Sequence, residues 1–310
     1  MFLDINNNNK PELIVATDIS ANKKIRPVTS DGGYLYAFRT EAVSSKSKKI
    51  NFRDIKKSLW RNEVDQVLYS SPVAADVMSS NLGPEIIIAS GCFFPQNSSE
   101  KRGRWIKIFD EQSGNLLRTL ETPACSSGSP AVADLDGDGT AEIIAFVQGA
   151  EHNGGLGSST LIAWNAESGE ELWRNIPRSG SRNDEIAGEY NTPVIGDLDG
   201  NGSLEIVVNN GNGLVIVDSL SGITLSCEEK VCEDKPSLLF SSTSNSSPTI
   251  ADINLDGQLE LIAGAGNGVH VWSGFQGSLN SSSSSLPTYS APWPTWRGNA
   301  QRTGNNNFKD

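Results

Sequence analysis

Short apolar runs bounded by glycine, asparagine and aspartate recur along this chain, and none keeps the three-to-four-residue spacing of an amphipathic helix. The clearest run is Ser129–Val147, SPAVADLDGDGTAEIIAFV. Small apolar residues at Ala131–Ala133 and the mostly β-preferring Ile143, Ile144, Phe146 and Val147 predict two strands joined by a polar loop. The pattern returns at Thr192–Val208, at Ser247–Ala263 and near the start at Phe2–Val15, with a degraded copy at Ser71–Ala89. The leading aspartates, Asp4, Asp76, Asp134, Asp197 and Asp252, lie on average about 62 residues apart. A period of that size means supersecondary units that bury a core only by packing on their neighbours.

Each copy continues alike. A variable loop leads to a third strand, at Tyr34–Arg39, Trp105–Phe109, Thr160–Trp164, Leu214–Val217 and Val269–Trp272. Tight turns follow as DEQSGN, NAESGE and DSLSGI, with glycine where φ must be positive. Fourth strands include Leu116–Leu120 and Glu171–Asn175. Four antiparallel strands per unit, repeated about a centre, predict an all-β fold, a β-propeller with five visible blades near residues 1–60, 70–120, 129–176, 192–227 and 247–277.

Strand alternation then separates two faces. With strands labelled A to D from the centre outwards, A–B loops and C–D turns share one face, and B–C loops and blade-to-blade connections share the other. The long insertions all fall on the second face: residues 17–33, 91–104, 148–159, 177–191 and 227–245. Variable loops on a rigid scaffold are where binding concentrates. Phe93, Phe94 and Arg182 are the ligand-contact candidates there, although the two phenylalanines could equally fill a space under their own loop.

The A–B loops carry the chemistry. In Asp134-x-Asp136-x-Asp138-Gly139-x-x-Glu142, oxygens at alternate positions and a glycine at the sharp turn suit a hard cation such as Ca²⁺. The closing carboxylate comes at position 9 and a strand follows at once, so the loop is not an EF-hand. The loops from Asp197 and Asp252 keep the pattern. The loop from Asp4 replaces acids by Asn6 and Asn8, which weakens ligation. Around Asp76 the spacing to Glu85 is one residue longer and Met78 takes a ligand position, so little or no binding is expected there.

Charge fits these loops. The 310 residues hold 25 Lys+Arg against 37 Asp+Glu, a formal net charge of −12, which disfavours nucleic acid and anionic membranes as partners. No apolar run is long enough to span a membrane. Four cysteines form two sequence-local groups, Cys92 with Cys125 and Cys227 with Cys232, and neither has zinc-site spacing. An even count in such a chain favours disulfides and hence an extracellular, cell-surface or periplasmic protein, against the alternative of four cytosolic thiols. Aligning Asp4 with Asp134 starts the chain inside a strand with no signal peptide, so a piece of a longer protein, or one whose true start lies elsewhere, is expected. Residues 278–290 read as a serine-rich linker. Residues 291–310 read as a tail whose Trp293 and Trp296 either dock on the propeller or begin a further unit.

The loops and their flanking strands resemble FG-GAP/VCBS repeats of integrin-α-like propellers, from Phe2 to about Gly274. The resemblance implies calcium held by Asp134, Asp136, Asp138, the Thr140 carbonyl and Glu142; by Asp197, Asp199, Asn201, Ser203 and Glu205; and by Asp252, Asn254, Asp256, Gln258 and Glu260. It implies weaker binding by Asp4, Asn6, Asn8, Lys10 and Glu12. YLYAF and LIAWNAESGEELW are also similar to quinoprotein-dehydrogenase-like propellers, whose best-known members place adjacent cysteines at the cofactor; this chain has no such pair. His152 and His270 lack any catalytic motif beside them. Trp60, Trp164, Trp173 and Trp272 recur at related strand positions and are expected to pack between blades. No catalytic residue is assigned. The expectation is a calcium-stabilised extracellular binding or adhesion module for a protein or glycan. The rivals are a calcium-dependent polysaccharide lyase or hydrolase, and an inert spacer in a larger surface protein.

Overall fold

A computed structural model describes residues 1–18 (except 7), 32–40, 58–91, 93, 102–147, 159–177, 191–227 and 234–277 (except 243 and 267). Eighteen strands and no helix are found among them, grouped into five antiparallel sheets in chain order. Blade 1 is β1 (Phe2–Leu3), β2 (Glu12–Ala16), β3 (Gly33–Phe38) and β4 (Ser58–Val64). Blade 2 is β5 (Val73–Ala75), β6 (Glu85–Ala89), β7 (Trp105–Phe109) and β8 (Leu116–Glu121). Blade 3 is β9 (Ala131–Ala133), β10 (Glu142–Val147), β11 (Thr160–Asn165) and β12 (Glu171–Asn175). Blade 4 has β13 (Val194–Gly196), β14 (Glu205–Asn209) and β15 (Leu214–Asp218), and blade 5 has β16 (Thr249–Ala251), β17 (Leu259–Ala265) and β18 (Gly268–Phe275).

The expected fourth strand is therefore missing from blades 4 and 5 among the described residues. In blade 4 the cause is visible. After the turn, the amides of Leu225 and Ser226 both donate to the Ile216 carbonyl, and the chain makes isolated bridges at Val217–Thr224, Gly213–Leu239 and Cys227–Ser237 instead of a ladder.

Period-2 alternation assigns each sheet face to a neighbour. In β6, Ile86 and Ile88 pack with Ile14, Leu35 and Trp60 of blade 1, while Ile87 faces the other way, into the cluster with blade 3. In β14, Ile206 and Val208 join blade 3, and Val207 joins Ile250, Leu259 and Leu261 of blade 5. Three clusters thus tie blades 1–2, 2–3–4 and 4–5, and none of them joins blade 5 to blade 1. The far face of blade 5 leaves Val269 and Val271 70% and 47% exposed.

Two further devices join neighbours. Trp60 on β4 lies against Gly114 in the next blade's C–D turn; its Nε1 donates to the Glu111 carbonyl at 2.9 Å, and Asn62 donates to the Gly114 carbonyl at 2.7 Å. Trp173 repeats the contact on Gly222, with Nε1 donating to Ser219 at 2.9 Å. In blade 2 Arg118 takes that place, donating to the Glu167 and Ser168 carbonyls. At the opposite end, the Ser71 amide donates to Ser129 Oγ (2.9 Å), that of Ser129 to Thr192 Oγ1 (3.2 Å), and that of Thr192 to Ser247 Oγ (3.0 Å). Trp164 is buried in the central cluster, and Trp272 stacks on His270 beside Phe240, which gives that histidine a packing role. His152 lies outside the described residues.

Candidate metal centres

In blades 1, 3, 4 and 5 the A–B loop is wound around its own side chains. The first aspartate takes two backbone amides: Asp134 accepts from Gly137 (2.7 Å) and Gly139 (3.0 Å), and Asp197 from Gly200 (2.7 Å) and Gly202 (3.0 Å). Later loop oxygens each take the amide two residues on, as in Asp136 from Asp138, Asp138 from Thr140 and Asn201 from Ser203. The closing glutamate accepts the amide that follows the first aspartate: Leu135 to Glu142 Oε2 (2.8 Å), Leu198 to Glu205 (2.7 Å), Ile253 to Glu260 (2.9 Å), Ile5 to Glu12 (3.1 Å) and Val77 to Glu85 (2.8 Å). One oxygen of each glutamate is thereby fixed and the other is turned into the loop.

The loops differ in what meets that second oxygen. In blades 1 and 5 an amide does: Asn6 Nδ2 donates to Glu12 Oε1 at 2.9 Å, and Asn254 Nδ2 to Glu260 Oε1 at 3.1 Å. In blades 3 and 4 the corresponding residues are Asp136 and Asp199, which have no proton to give. Carboxylate oxygens of Asp134, Asp136 and Asp138 lie within 4.8 Å of one another, as do those of Asp197, Asp199 and Glu205. Burial, together with Asp136, Asp134 and Asp138, pushes Glu142 up to about 7; burial, together with Asp199 and Asp197, does the same to Glu205. These two loops therefore concentrate negative charge that only a proton or a cation relieves.

Blade 1 differs again. A polar hollow of about 360 Å³ there is lined by Asn6, Asn8, Lys10, Glu12, Arg39 and Thr40, so two cationic side chains border the loop. Blade 5 carries Leu255 at φ 62°, where blades 3 and 4 have Gly137 and Gly200. A left-handed conformation costs a non-glycine residue about 1 kcal/mol.

The A–B loops share their face with the C–D turns, as the alternation predicts. The Ser219 amide donates to Leu204, that of Ala166 to Ala141, and Glu167 accepts the amide of Ser79 in the neighbouring loop. On the other face Phe93 is 62% exposed, while Phe94 and Arg182 lie outside the described residues. Among the described residues no cysteine is a free thiol; Cys125 and Cys227 are buried, and Cys92 and Cys232 lie outside the described residues. No described helix is long and apolar enough to cross a membrane.

No family model and no curated protein matches the chain. Solved structures do match it, and they are β-propeller proteins. An exotype rhamnogalacturonan lyase, YesX, aligns over 95% of this chain and 48% of its own at 14% identity and a TM-score of 0.50. The V. cholerae biofilm matrix protein Bap1 aligns over 97% and 39% at 20% identity and a TM-score of 0.48. BamB from Moraxella catarrhalis aligns over 84% and 64% at 11% identity and a TM-score of 0.45. The chain spans less than two thirds of each. At these identities the likeness concerns the fold alone, and with the five stacked sheets it defines a β-propeller.

Proposed function

We propose that the chain is a calcium-stabilised extracellular binding module of the FG-GAP/VCBS type, which recognises a protein or glycan through its B–C loop face. The observation that carries this is the division of labour between the two faces. Among the described residues, every carboxylate whose pKa burial pushes up (Glu85, Glu111, Glu142 and Glu205) lies at the A–B loops and C–D turns, away from the long loops. Titratable groups gathered there serve cation binding and rigidity. A polysaccharide lyase or hydrolase would need convergent acids on the loop face. Export agrees with the proposed pairs Cys92–Cys125 and Cys227–Cys232, which peptide mapping without reductant reads directly.

The test is a glycan-array and protein pull-down screen in millimolar calcium and in chelator. Binding should be seen in calcium, and Phe93→Ser should weaken it with little loss of stability, because most of that side chain is exposed. Retention of all binding by the loop-face variant would place the ligand elsewhere, and release of unsaturated or reducing sugars from a polysaccharide would replace the reading by an enzyme.

The tail belongs to the same proposal. Trp296-Arg297-Gly298-Asn299 is similar to the Trp-Arg-Asn of β4 (Trp60, Arg61, Asn62) and β12 (Trp173, Arg174, Asn175), with a glycine inserted before the asparagine, and among the described residues blade 5 has no fourth strand beside β18. We propose that this segment docks at blade 5 as the missing outer strand, shielding Val269 and Val271. Trp296→Ala should then lower the melting temperature and speed proteolysis after residue 277; no change in either would leave the segment undocked.

A further inference from the structure

Blade 2 has the A–B loop that its sequence disqualifies. One extra residue separates Asp76 from Glu85, and Met78 and Ser80 stand where Asp136 and Asp138 stand in blade 3. The fold nevertheless delivers another carboxylate to it from outside the loop. Glu111 lies in the turn between β7 and β8, is 3% exposed, and has its backbone pinned by the Trp60 indole. Its side chain is aimed at the loop, since a Cβ on Gly83 would come within 2.8 Å of Oε1. Its Oε2 is buried without a hydrogen-bond partner. The equivalent residues of the next two turns are Ala166 and Ser219, so this carboxylate is peculiar to the blade whose loop lost its acids.

The second buried acid there is Glu85, fully enclosed, with Oε2 held by the amides of Val77 and Met78 and Oε1 by Asn81 Nδ2 at 2.9 Å. The two glutamates repel each other, and among the described residues neither forms an ion pair with a lysine, arginine or histidine. A buried carboxylate oxygen left bare beside a second carboxylate is costly unless a counter-charge joins them.

We propose that blade 2 holds an oxygen-preferring divalent cation between Glu85 and Glu111, with the exposed Asp76 at its mouth. The acid missing at residue 78 is replaced by one from the C–D turn of the same blade. Hard cations accept this exchange because they select oxygen donors and charge, with loose demands on geometry in the case of calcium. The Asn81 amide, which donates to Glu85 in the absence of an ion, turns its carbonyl inward when one is bound.

Glu111→Gln tests this in the whole chain, with calcium as the probe. The isosteric amide keeps the packing and removes the charge. In chelator at pH 8 the variant should melt above the parent, because a bare buried charge has gone. In millimolar calcium it should gain less than the parent, and equilibrium dialysis should count one bound calcium fewer per chain. Asp76→Asn, at an exposed position, should weaken the same site about tenfold, since affinity follows the number of charged ligands. The proposal rests on the calcium reading for its choice of probe, and Glu142→Gln separates the two. If Glu142→Gln lowers the calcium count and Glu111→Gln leaves it unchanged, blade 2 is empty and only this inference falls. If the parent binds no calcium at all, both fall.

Discussion

Excess chelator should lower the melting temperature of this protein by roughly 10 °C relative to millimolar calcium. A site with Kd about 10⁻⁴ M gains about 1.4 kcal/mol at tenfold excess of free ion, and a domain of this size shifts by about 2–4 °C per kcal/mol. The loops at Asp134–Glu142 and Asp197–Glu205 are the best placed to contribute, because their third residues are acids with no amide to satisfy the closing glutamate. The pH dependence should reverse with the metal. In chelator, Glu142 and Glu205 titrate near 7 in the folded state against an ordinary value of 4.5, so the folded state binds protons that the unfolded state releases. Stability is then highest below about 4.5 as far as these groups are concerned, and falls as the pH rises through 7. Calcium needs the ionised forms, so in its presence the loss between pH 6 and 8 should shrink or change sign. Scanning calorimetry at both pH values, with and without calcium, reads all four states. A parent protein indifferent to calcium at either pH would remove the metal from the account.

Trp60→Ala should be among the most damaging single substitutions outside the metal loops, at about 3–5 kcal/mol. The indole is 8% exposed, fills the surface above Gly114, and ties blade 1 to blade 2 through the Glu111 carbonyl. Gly114 has φ +71°, and a Cβ there would lie 2.5 Å from the ring, so Gly114→Ala should injure the same contact from the other side. Trp60→Phe keeps most of the packing and gives up one hydrogen bond, which is a loss of about 1 kcal/mol. Trp173→Ala should cost less than Trp60→Ala because Trp173 is only half-buried. Urea unfolding of the four variants orders them; a Trp60→Ala loss no larger than that of Trp60→Phe would mean that the ring contributes no packing between blades.

What the sequence makes legible here is whatever repeats. Asp-x-Asp-x-Asp-Gly marks a loop, and the flanking Ala-Val-Ala and Glu-Ile-Ile mark inner strands buried on both faces. The third strands fall within a few residues of their observed limits. Outer strands are harder to read, because β8 and β12 are largely exposed and carry a weak pattern. Hence, among the described residues, the expected fourth strand is not met where the chain after β15 doubles its amides onto one carbonyl. Glu111 escaped notice for another reason. Its partners belong to a loop 26 residues earlier, and the contact exists only once turn and loop fold onto the same face. The signal was present in the aligned turns, where a glutamate replaces alanine and serine beside the one loop that lacks its acids. The Asn-to-Glu bonds of blades 1 and 5 were equally hidden. An asparagine reads as a poor ligand, whereas in the folded loop it also supplies the hydrogens that make an ion less necessary.

The run of hydroxyls from Ser129 through Thr192 to Ser247 has a direction. Each accepts an amide at the start of the blade before it, so blades 2, 3 and 4 are each latched by the blade made next. On a ribosome the chain emerges from its amino end, and the newest complete blade always presents an amide whose acceptor has not yet been synthesised. During synthesis these three bonds can therefore close only in chain order. A pause in translation between Thr192 and Ser247 would leave the Thr192 amide open, and the time for which that latch gapes is set by the ribosome rather than by the stability of the blade.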